Sequence, residues 1–428
     1  ERPFSRDQRR WVYTASKRRN TYFGFGTDND LEVAPSYLIV KHAPFPAPEP
    51  LEGPASVAGG SHAPAAKVFG AARGRERAFR AASIVNISSM SYGSLGSRAI
   101  ESLNRGAAID GCLQGTGEGG VSAFHRSGGD LVWQIGTGYF GCRDAAGNFD
   151  LARFRDVVAA TPSIRLVEIK LSQGAKPGMG GVLPADKVTP EIAELRGVPV
   201  GVDCRSPSLH SAFSDADSLL DFVELLAAES GLPVGIKSAV GQLDLFEDLA
   251  RLMESGERGV DFVTVDGGEG GTGAAPLVFS DHVSLPFKVG FSRVYATFAR
   301  RGLTDRVVFT GSGKLGLPEQ ALTAFALGCD TVNVARETML AIGCIQSQRC
   351  HTGRCPTGVA TTNARLQRGL DPEVKSERLA NYVVQLRKEL LQLSRTCGVV
   401  HPAFVTGDHL ELIDDRFGGA ALRGAFGP

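Results

Sequence analysis

Three cysteines lie within twelve residues of one another, in the stretch CIQSQRCHTGRC that begins at Cys344 and includes Cys350 and Cys355. Pro356 follows the last of them, as proline often follows an iron–sulfur cysteine. Three thiolates suit a cluster of three irons, or a four-iron cluster that lacks one cysteine ligand. Zinc is an alternative with His351 as a ligand, although the paired CxxC spacing is absent. The remaining alternative is that all three are buried apolar side chains.

A second chemical signal is the stretch FTGSGKLG, which begins at Phe309 between an apolar run and a helical pattern. It matches a dinucleotide fingerprint, but it comes too late in the chain for a Rossmann domain. It also lacks the upstream glycine of a P-loop. In barrels, phosphate binds to the loops after the seventh and eighth strands. The main-chain N–H groups predicted to bind phosphate are those of Gly311, Ser312, Gly313, Ala335 and Arg336, the last adding a charge.

Lys237 ends another apolar run and is predicted to point toward the same site. A cation there suits a flavin, because it stabilises the reduced anionic ring. The alternative is a salt bridge at the barrel rim. Four glycine- or serine-rich tips follow apolar runs: SSMSYGS, LQGTGEGG, DGGEGG and TGSGKLG. One such tip can be a tight turn, but four together favour a large flat ligand against the main chain.

These residues need elements that place them together. Six short apolar runs are typical of buried parallel strands, and they begin at Ile84, Val198, Pro233, Phe262, Arg306 and Thr331. Weaker candidates near Cys112 and Leu166 bring the total to eight. Helical spacing appears at Leu219–Leu226 before Gly231 and at Phe246–Met253 before Gly256. Pro318 and Gly328 mark the two ends of a third helix.

The alternation of strands and helices predicts an α/β chain with a (β/α)8 TIM barrel, with a doubly wound sheet as the alternative. We predict an irregular N-terminal extension over 1–80 that contains a Pro-rich connector at 43–54. The barrel is predicted over 81–340. An iron–sulfur loop and a helical segment are predicted over 341–428.

Composition excludes several classes of protein. The chain has 46 basic and 46 acidic residues, so nothing indicates nucleic-acid binding. No apolar run approaches the ~20 residues of a membrane span. The scattered remaining cysteines do not resemble a disulfide framework, which favours a reducing cytoplasm. The basic cluster Arg9–Arg10 and Lys17–Arg19 favours a solvated face over a membrane-proximal flank. The start at Glu1 leaves an upstream anchor open.

The motifs as a set resemble the FMN and iron–sulfur synthase domain of glutamate synthase in its stand-alone form. The matching segments, in the order of that family, are SSMSYGSLG, TGEGG, QIGTGYFG, KLSQGAKPGMGG, PADKVTPEIAELR, DGGEGGTGAAP, GSGKLG and CIQSQRCHTGRCPTGVAT. They cover roughly 84–400. The cysteine motif and the KPGxGG segment are the most specific of them.

The resemblance implies a flavin-dependent oxidoreductase with FMN and a 3Fe-4S cluster held by the three cysteines. Electrons would pass through the cluster to FMN, which would reduce 2-iminoglutarate, formed from 2-oxoglutarate and ammonia, to L-glutamate. The implied flavin contacts are Met90, Ser91, Gln114, Gln134, Lys237, Gly268 and the 311–313 loop. The implied substrate residues are Glu118, Lys176 and Arg196. A dicarboxylate needs such cations, and Glu118 could accept or deliver a proton.

The chain departs from the family pattern at four places. Met179 and Val182 stand where the family has Glu and Gln, and Tyr139 replaces an Arg. The segment SPSLHSA at 206–212 replaces SPPPHHD. Fewer polar partners around the substrate predict weak binding of 2-oxoglutarate. The alternatives are therefore a different oxo or imino acid with the same cofactors, or an electron-transfer subunit of a larger complex.

The same resemblance sets the expected partners. No cysteine precedes Cys112, so an N-terminal glutaminase nucleophile is absent from this sequence. Ammonia would be free or come from a separate glutaminase. No convincing pyridine-nucleotide domain is present, so we expect electrons from ferredoxin or a separate reductase subunit. An oligomer or complex in the cytoplasm follows as an expectation.

Overall fold

The computed structural model describes residues 3–23, 37–48, 62–413 and 419–421, together with Gly424 and Phe426. Its strands are β1 (Tyr37–Val40), β2 (Val85–Ile87), β3 (Gln114–Gly115), β4 (Leu131–Ile135), β5 (Ile164–Lys170), β6 (Val182–Leu183), β7 (Cys204–Arg205), β8 (Val234–Ser238), β9 (Phe262–Asp266), β10 (Val308–Ser312), β11 (Thr331–Val334), β12 (Leu410–Ile413) and β13 (Gly419–Ala421).

The α-helices alternate with the strands over most of this length. They are α1 (Arg6–Ser16), α2 (Ser97–Asp110), α3 (Leu151–Ala160), α4 (Pro190–Arg196), α5 (Ala216–Ser230), α6 (Asp244–Leu252), α7 (Leu277–His282), α8 (Phe287–Ala299), α9 (Pro318–Ala326), α10 (Arg336–Ile342), α11 (Ala364–Gln367) and α12 (Pro372–Thr396).

Eight parallel strands close into a barrel in the order β2, β3, β4, β5, β8, β9, β10, β11. The last pairing, Val332 with Val85, joins the end of the ring to its start. Every residue of β8, β9 and β10 is buried, as expected for parallel strands covered by helices. The predicted (β/α)8 barrel is therefore confirmed, and the doubly wound sheet is excluded.

Seven of the eight predicted strands are present, and one is wrong. The run beginning at Val198 follows α4 as a loop, in which Val200 and Val202 are more than half exposed. Gly201 takes a positive φ of 67° there, which an apolar strand would not. The eighth strand is β4. It was missed because only a 3₁₀ turn, Ala123–His125, separates it from β3, instead of a full helix.

The predicted helix signals are confirmed. Asp215 caps α5 by accepting from the N–H of Ser218, and Gly231 ends it at a φ of 70°. Helix α6 leads into a 3₁₀ turn that ends at Gly256. Pro318 is the first residue of α9, as predicted, and Gly328 follows that helix at a φ of 112°.

The N-terminal extension is more ordered than predicted. Helix α1 packs on α12, where the ring centroids of Trp11 and Tyr382 lie 6.0 Å apart. The Tyr13 hydroxyl donates to the carbonyl of Cys344 at 2.8 Å. Strand β1 pairs with β12. Of the predicted connector, 43–48 form neither helix nor strand and 49–54 lie outside the described residues. Helix α12 supplies the predicted C-terminal helix.

Candidate functional site

The carboxyl ends of the barrel strands bring several charged and polar side chains to one mouth, some of them predicted from the sequence and some not. Lys170 ends β5, Asp266 ends β9 and Ser312 ends β10, while Lys237 is the penultimate residue of β8. Active sites of TIM barrels form at this end because the βα loops converge there.

A small pocket opens at the mouth beside β5. The carboxylate Oε1 of Glu118 lies 3.2 Å from the Lys170 ammonium, and both side chains are less than a fifth exposed. Met179 contributes to the wall, whereas Val182 is half-buried in β6 and is not part of it. The lining residues are Glu118, Thr137, Lys170, Leu171, Ser172, Gln173, Gly178, Met179, Gly180, Gly181, Pro207 and Ser208.

Two further cations lie behind this wall. Lys176 is 4% exposed, and its ammonium donates to the carbonyl of Gly180 at 3.3 Å. Arg196 is 5% exposed and donates through Nη2 to the carbonyl of Tyr92 at 3.1 Å. Its Nε has no hydrogen-bond partner within the part of the chain that the structure describes. Among those same residues, neither cation forms an ion pair with a carboxylate.

The electrostatics of this group are dominated by burial and by the surplus of cations. Burial alone would raise the pKa of Glu118, but Lys170, Lys176 and Arg196 together hold that pKa below its ordinary value. Burial, reinforced by Lys170, lowers the pKa of Lys176 to about 8. Glu118 is therefore ionised at neutral pH, and Lys176 titrates close to it. The arrangement can bind anions and exchange a proton.

Three of the predicted flavin residues, Gln114, Gln134 and Lys237, lie on barrel strands at or near their carboxyl ends. Lys237 is 6% exposed, and its ammonium lies 3.7 Å from Oδ1 of Asp266. Gln134 donates through Nε2 to Oε1 of Glu168 at 2.7 Å. Thr264 donates to the other oxygen of Glu168 at 2.7 Å. This buried carboxylate therefore fixes the orientation of the Gln134 amide.

Gln114 is fully buried, with Oε1 accepting from Asn104 at 2.8 Å. Its Nε2 has no partner among the described residues. A buried donor without a partner is rare in a finished site and points to a missing acceptor. Met90 and Ser91 follow β2 in the adjoining loop, where the N–H of Met90 donates to Gly115 at 3.4 Å.

The glycine-rich loop 266–276 touches three neighbouring segments. A Cβ on Gly174 would come within 1.9 Å of the carbonyl of Gly267. One on Gly271 would lie 2.5 Å from the Arg336 side chain, and one on Gly273 would lie 3.0 Å from Cβ of Cys350. Part of the glycine requirement therefore comes from protein packing, and the loop contacts the segments around Gly174, Arg336 and Cys350.

The predicted phosphate residues are adjacent but not equivalent. Gly313 has a φ of +125° and lies against the N–H of Gly267, so its backbone requires glycine. Gly311 instead packs toward Phe287 and Cys329. The N–H of Gly268, predicted to contact flavin, donates to the carbonyl of Leu285 at 2.9 Å. Ala335 precedes α10, at the start of which Arg336 donates to the carbonyl of Glu269.

The three cysteines occupy one loop after α10. Cys355 is buried, while Cys344 and Cys350 are partly exposed. The N–H of Gln346 approaches Sγ of Cys344 at 3.4 Å, and the Thr357 hydroxyl lies 3.6 Å from Sγ of Cys355. Such donors stabilise cluster thiolates. Within the described ranges no three His, Cys, Asp or Glu side chains are grouped to hold a single metal ion. Cluster thiolates bind separate irons and do not need that geometry.

Three site residues were missed from the sequence. Lys170, Glu168 and Asp266 are charged residues on predicted strands, at or near the carboxyl end. Charge at that position was the available signal, since the interior of a buried parallel strand is otherwise apolar.

Sequence comparison identifies the family of the chain. The model of the conserved region in glutamate synthase matches residues 65–400. The chain belongs to the glutamate synthase family. It is 39% identical over 337 residues to the "Glutamate synthase large subunit-like protein YerD" of Bacillus subtilis, covering 78% of this chain and 64% of that protein. It is 34% identical over 318 residues to "Archaeal glutamate synthase [NADPH]" of Methanocaldococcus jannaschii, covering 74% and 59%. The chain thus spans less than two thirds of these relatives.

Solved structures share the fold. A mutant of flavocytochrome b2 with benzoylformate aligns with a TM-score of 0.51 at 13% identity, covering 98% of this chain and 81% of that one. The flavin-binding domain of baker's yeast flavocytochrome b2 aligns with a TM-score of 0.50, with the same identity and coverage. Among the described residues, the structure contains no helix with the length and apolar character of a membrane span.

Proposed function

We propose that this chain is a flavin-dependent oxidoreductase of the glutamate synthase type that reduces an imino acid formed from a 2-oxo dicarboxylate and ammonia. The favoured reaction is reductive formation of L-glutamate from 2-oxoglutarate. The observation that carries the proposal is the charge count at the mouth. Lys170, Lys176 and Arg196 face one carboxylate, Glu118, which leaves two positive charges for a dianion.

Residues of this chain would bind the substrate carboxylates and supply a proton. Lys170 at the pocket wall, with Lys176 and Arg196 behind it, would bind the two carboxylates. Glu118 is already ionised, so it has no proton to deliver, and its carboxylate orients the Lys170 ammonium. Lys176, with its pKa of about 8, is suited to supply the proton that the substrate nitrogen needs.

Two cofactors fit the residues around this pocket. The buried, unpartnered Nε2 of Gln114 and the buried Lys237 suit FMN, which would supply two-electron reduction, while a 3Fe-4S cluster would relay single electrons to it. The proposed flavin residues are those predicted at Met90, Ser91, Gln114, Gln134, Lys237, Gly268, 311–313, Ala335 and Arg336. Cys344, Cys350 and Cys355 would hold the cluster.

A second candidate keeps the cofactors and changes the substrate. Met179 lines the pocket where a polar residue would contact the substrate chain, which favours a less polar oxo acid. The electron-transfer subunit is disfavoured, because an electron carrier needs no buried anion pocket. We propose barrel bounds of 81–340, a cytoplasmic location, and a ferredoxin or reductase subunit as the electron donor.

The reaction is tested by steady-state turnover of a panel of 2-oxo acids with ammonia and a reduced artificial donor. Glutamate formation from 2-oxoglutarate is expected. No turnover of any 2-oxo acid by protein containing both cofactors would contradict the proposal.

The cofactors are tested on the purified protein. Denaturation should release FMN, and failure to find it in protein made with adequate riboflavin would end the flavin assignment. Cys344→Ser, Cys350→Ser and Cys355→Ser should each abolish the paramagnetic resonance signal of the cluster. Cys329→Ser, a buried cysteine elsewhere in the barrel, should keep it. The reverse pattern would disprove the ligand set.

A further inference from the structure

Tyr139 lies beside the substrate pocket in a backbone conformation that aromatic residues avoid. Its φ is +47°, in the left-handed region, and its side chain is 1% exposed. A bulky residue keeps such a conformation only where its surroundings hold it. The hydroxyl shows what holds Tyr139, because it lies 3.0 Å from Nδ1 of His210 and 3.1 Å from the N–H of Ala212.

The direction of each hydrogen bond follows from the partners. His210 Nε2 lies 2.9 Å from the carbonyl of Lys170, which can only accept, so Nε2 carries the proton. In a neutral imidazole Nδ1 must then accept, and the Tyr139 hydroxyl donates to it. The Ala212 N–H donates to the Tyr139 oxygen. Burial lowers the pKa of His210 and the Lys170 ammonium lowers it further, which keeps the ring neutral although the hydrogen bond to the Lys170 carbonyl and the Glu118 carboxylate act to raise that pKa.

The far end of this chain of hydrogen bonds is the substrate site. The Lys170 carbonyl that accepts from His210 belongs to the residue whose ammonium pairs with Glu118. The loop after β4, which contains Tyr139, and the loop after β7, which contains His210, are also joined directly. The Thr137 hydroxyl donates to the carbonyl of Pro207 at 2.6 Å. Thr137 and Pro207 both line the pocket.

We infer that Tyr139 and His210 are positioning residues: their hydrogen-bond relay fixes the main chain of Lys170, and with it the ammonium that receives one substrate carboxylate. This rests on the proposed function for the identity of the ligand. Neither residue contacts the substrate in this account. Their loss should weaken binding while the chemistry of bound substrate continues.

The test uses holoprotein and variants that cut single links. Tyr139→Phe removes the hydroxyl but keeps the ring, which lies edge-on to Phe149 and His210. His210→Gln places its amide nitrogen near the former Nε2 and so keeps the bond to Lys170, whereas His210→Asn keeps only the side facing Tyr139. Tyr295→Phe is the matched control, because Tyr295 packs on Phe309 on a remote part of the barrel.

The expected result is a KM for 2-oxoglutarate raised about 3- to 10-fold in Tyr139→Phe and His210→Asn, the loss of one neutral hydrogen bond, with kcat little changed. His210→Gln keeps the bond to Lys170 but loses the one to Tyr139, so its KM should rise less than that of His210→Asn, and Tyr295→Phe should stay within about 2-fold. Unchanged KM in both Tyr139→Phe and His210→Asn would overturn the inference. So would an equal rise in His210→Gln and His210→Asn, because Lys170 would then not be the relevant partner.

A measurement independent of turnover separates this inference from the proposed function. In ¹⁵N-histidine protein, the His210 signal is identified by its absence in His210→Gln. Nitrogen shifts should show Nε2 protonated and Nδ1 unprotonated, with Nδ1 moving in Tyr139→Phe. A protonated Nδ1 overturns the relay. If His210 has the expected tautomer but the protein binds no 2-oxo acid, the proposed function is disproved and the hydrogen-bond relay is still supported.

Discussion

The two ends of the barrel carry charge in opposite ways. At the amino-terminal ends of the strands, Arg73 and Arg75 meet Glu224 and Asp261, two cations against two carboxylates. Arg75 lies 2.6 Å from Glu224 and 2.9 Å from Asp261, and Arg73 lies 2.8 Å from Glu224. The carboxylates also accept the N–H groups of Gly259 and Val234.

At the carboxyl ends the balance is broken. Lys170, Lys176 and Arg196 share one carboxylate, and only Lys170 is in direct ion-pair contact with it. The first cluster is balanced in charge, whereas a buried surplus of cations destabilises the protein until an anion binds. We propose that the first cluster stabilises the barrel and that the second binds a ligand.

The largest expected effect on stability is at the amino-terminal ends of the strands, which we call the closed end. Asp261→Ala should lower the free energy of unfolding by about 3–5 kcal/mol, because it leaves Arg75 buried without one of its partners. Chemical denaturation measures this. Asp248→Ala, which breaks the exposed pair with Arg251, should cost less than about 1 kcal/mol. Similar losses in the two variants would show that the closed end is not a buried cluster.

At the carboxyl ends of the strands, which we call the open end, we expect the opposite effect on stability. Removing the charge of Lys176 there should stabilise the protein, by an amount that depends on pH. The pKa of Lys176 is about 8 in the folded protein against an ordinary 10.5. The unfolded chain therefore binds more protons between these values, and stability rises with pH there. The destabilisation caused by burying the charged Lys176 is fully present below pH 8 and is absent above pH 10.5. It amounts to a free energy on the order of 3 kcal/mol.

Denaturation curves of the unmodified protein and of Lys176→Met, taken at pH 7 and near pH 10, isolate this contribution. The variant should be the more stable protein at pH 7, with the gap closing as pH rises. A gap that does not change with pH would mean that Lys176 is not a buried, unpaired cation.

The same substitution should harm binding. Lys176→Met removes one of the two surplus charges, so affinity for 2-oxoglutarate should fall about 10- to 150-fold, the loss of a hydrogen bond to a charged group. Isothermal calorimetry measures it. Lys67→Met is the matched control, since Lys67 pairs with Asp330 away from the pocket. Equal affinities in the Lys176 variant and the unmodified protein would remove Lys176 from the substrate site.

The smallest effect separates two departures from the family pattern. Met179 lines the pocket and Val182 does not. Met179→Gln should change the KM for 2-oxoglutarate by about 2- to 10-fold, one neutral hydrogen bond, whereas Val182→Gln should leave it within about 2-fold. A larger effect of Val182→Gln would move the substrate to the other side of the β6 loop.

The barrel and the family could be predicted from the sequence. Buried parallel strands are apolar on both faces, so β8 and β9 could be identified without a structure, and motif order identified the family. Strand β4 was missed because its connection to β3 has no helix. The hydrogen bonds from Tyr139 to His210, and from Glu168 to Gln134, join residues far apart in the chain. Periodicity within one segment carries no information about such contacts.

The central claim, that the open end holds two surplus positive charges for a dianion, is tested most directly by comparing two ligands of equal carbon number. Calorimetry at pH 7 on the unmodified holoprotein would measure the affinities for 2-oxoglutarate and for 2-oxopentanoate, which lacks the second carboxylate. The account predicts at least about 10-fold tighter binding of the dicarboxylate, since its second carboxylate gains a charged partner. Equal affinity for the two ligands, or tighter binding of the monocarboxylate, would contradict it.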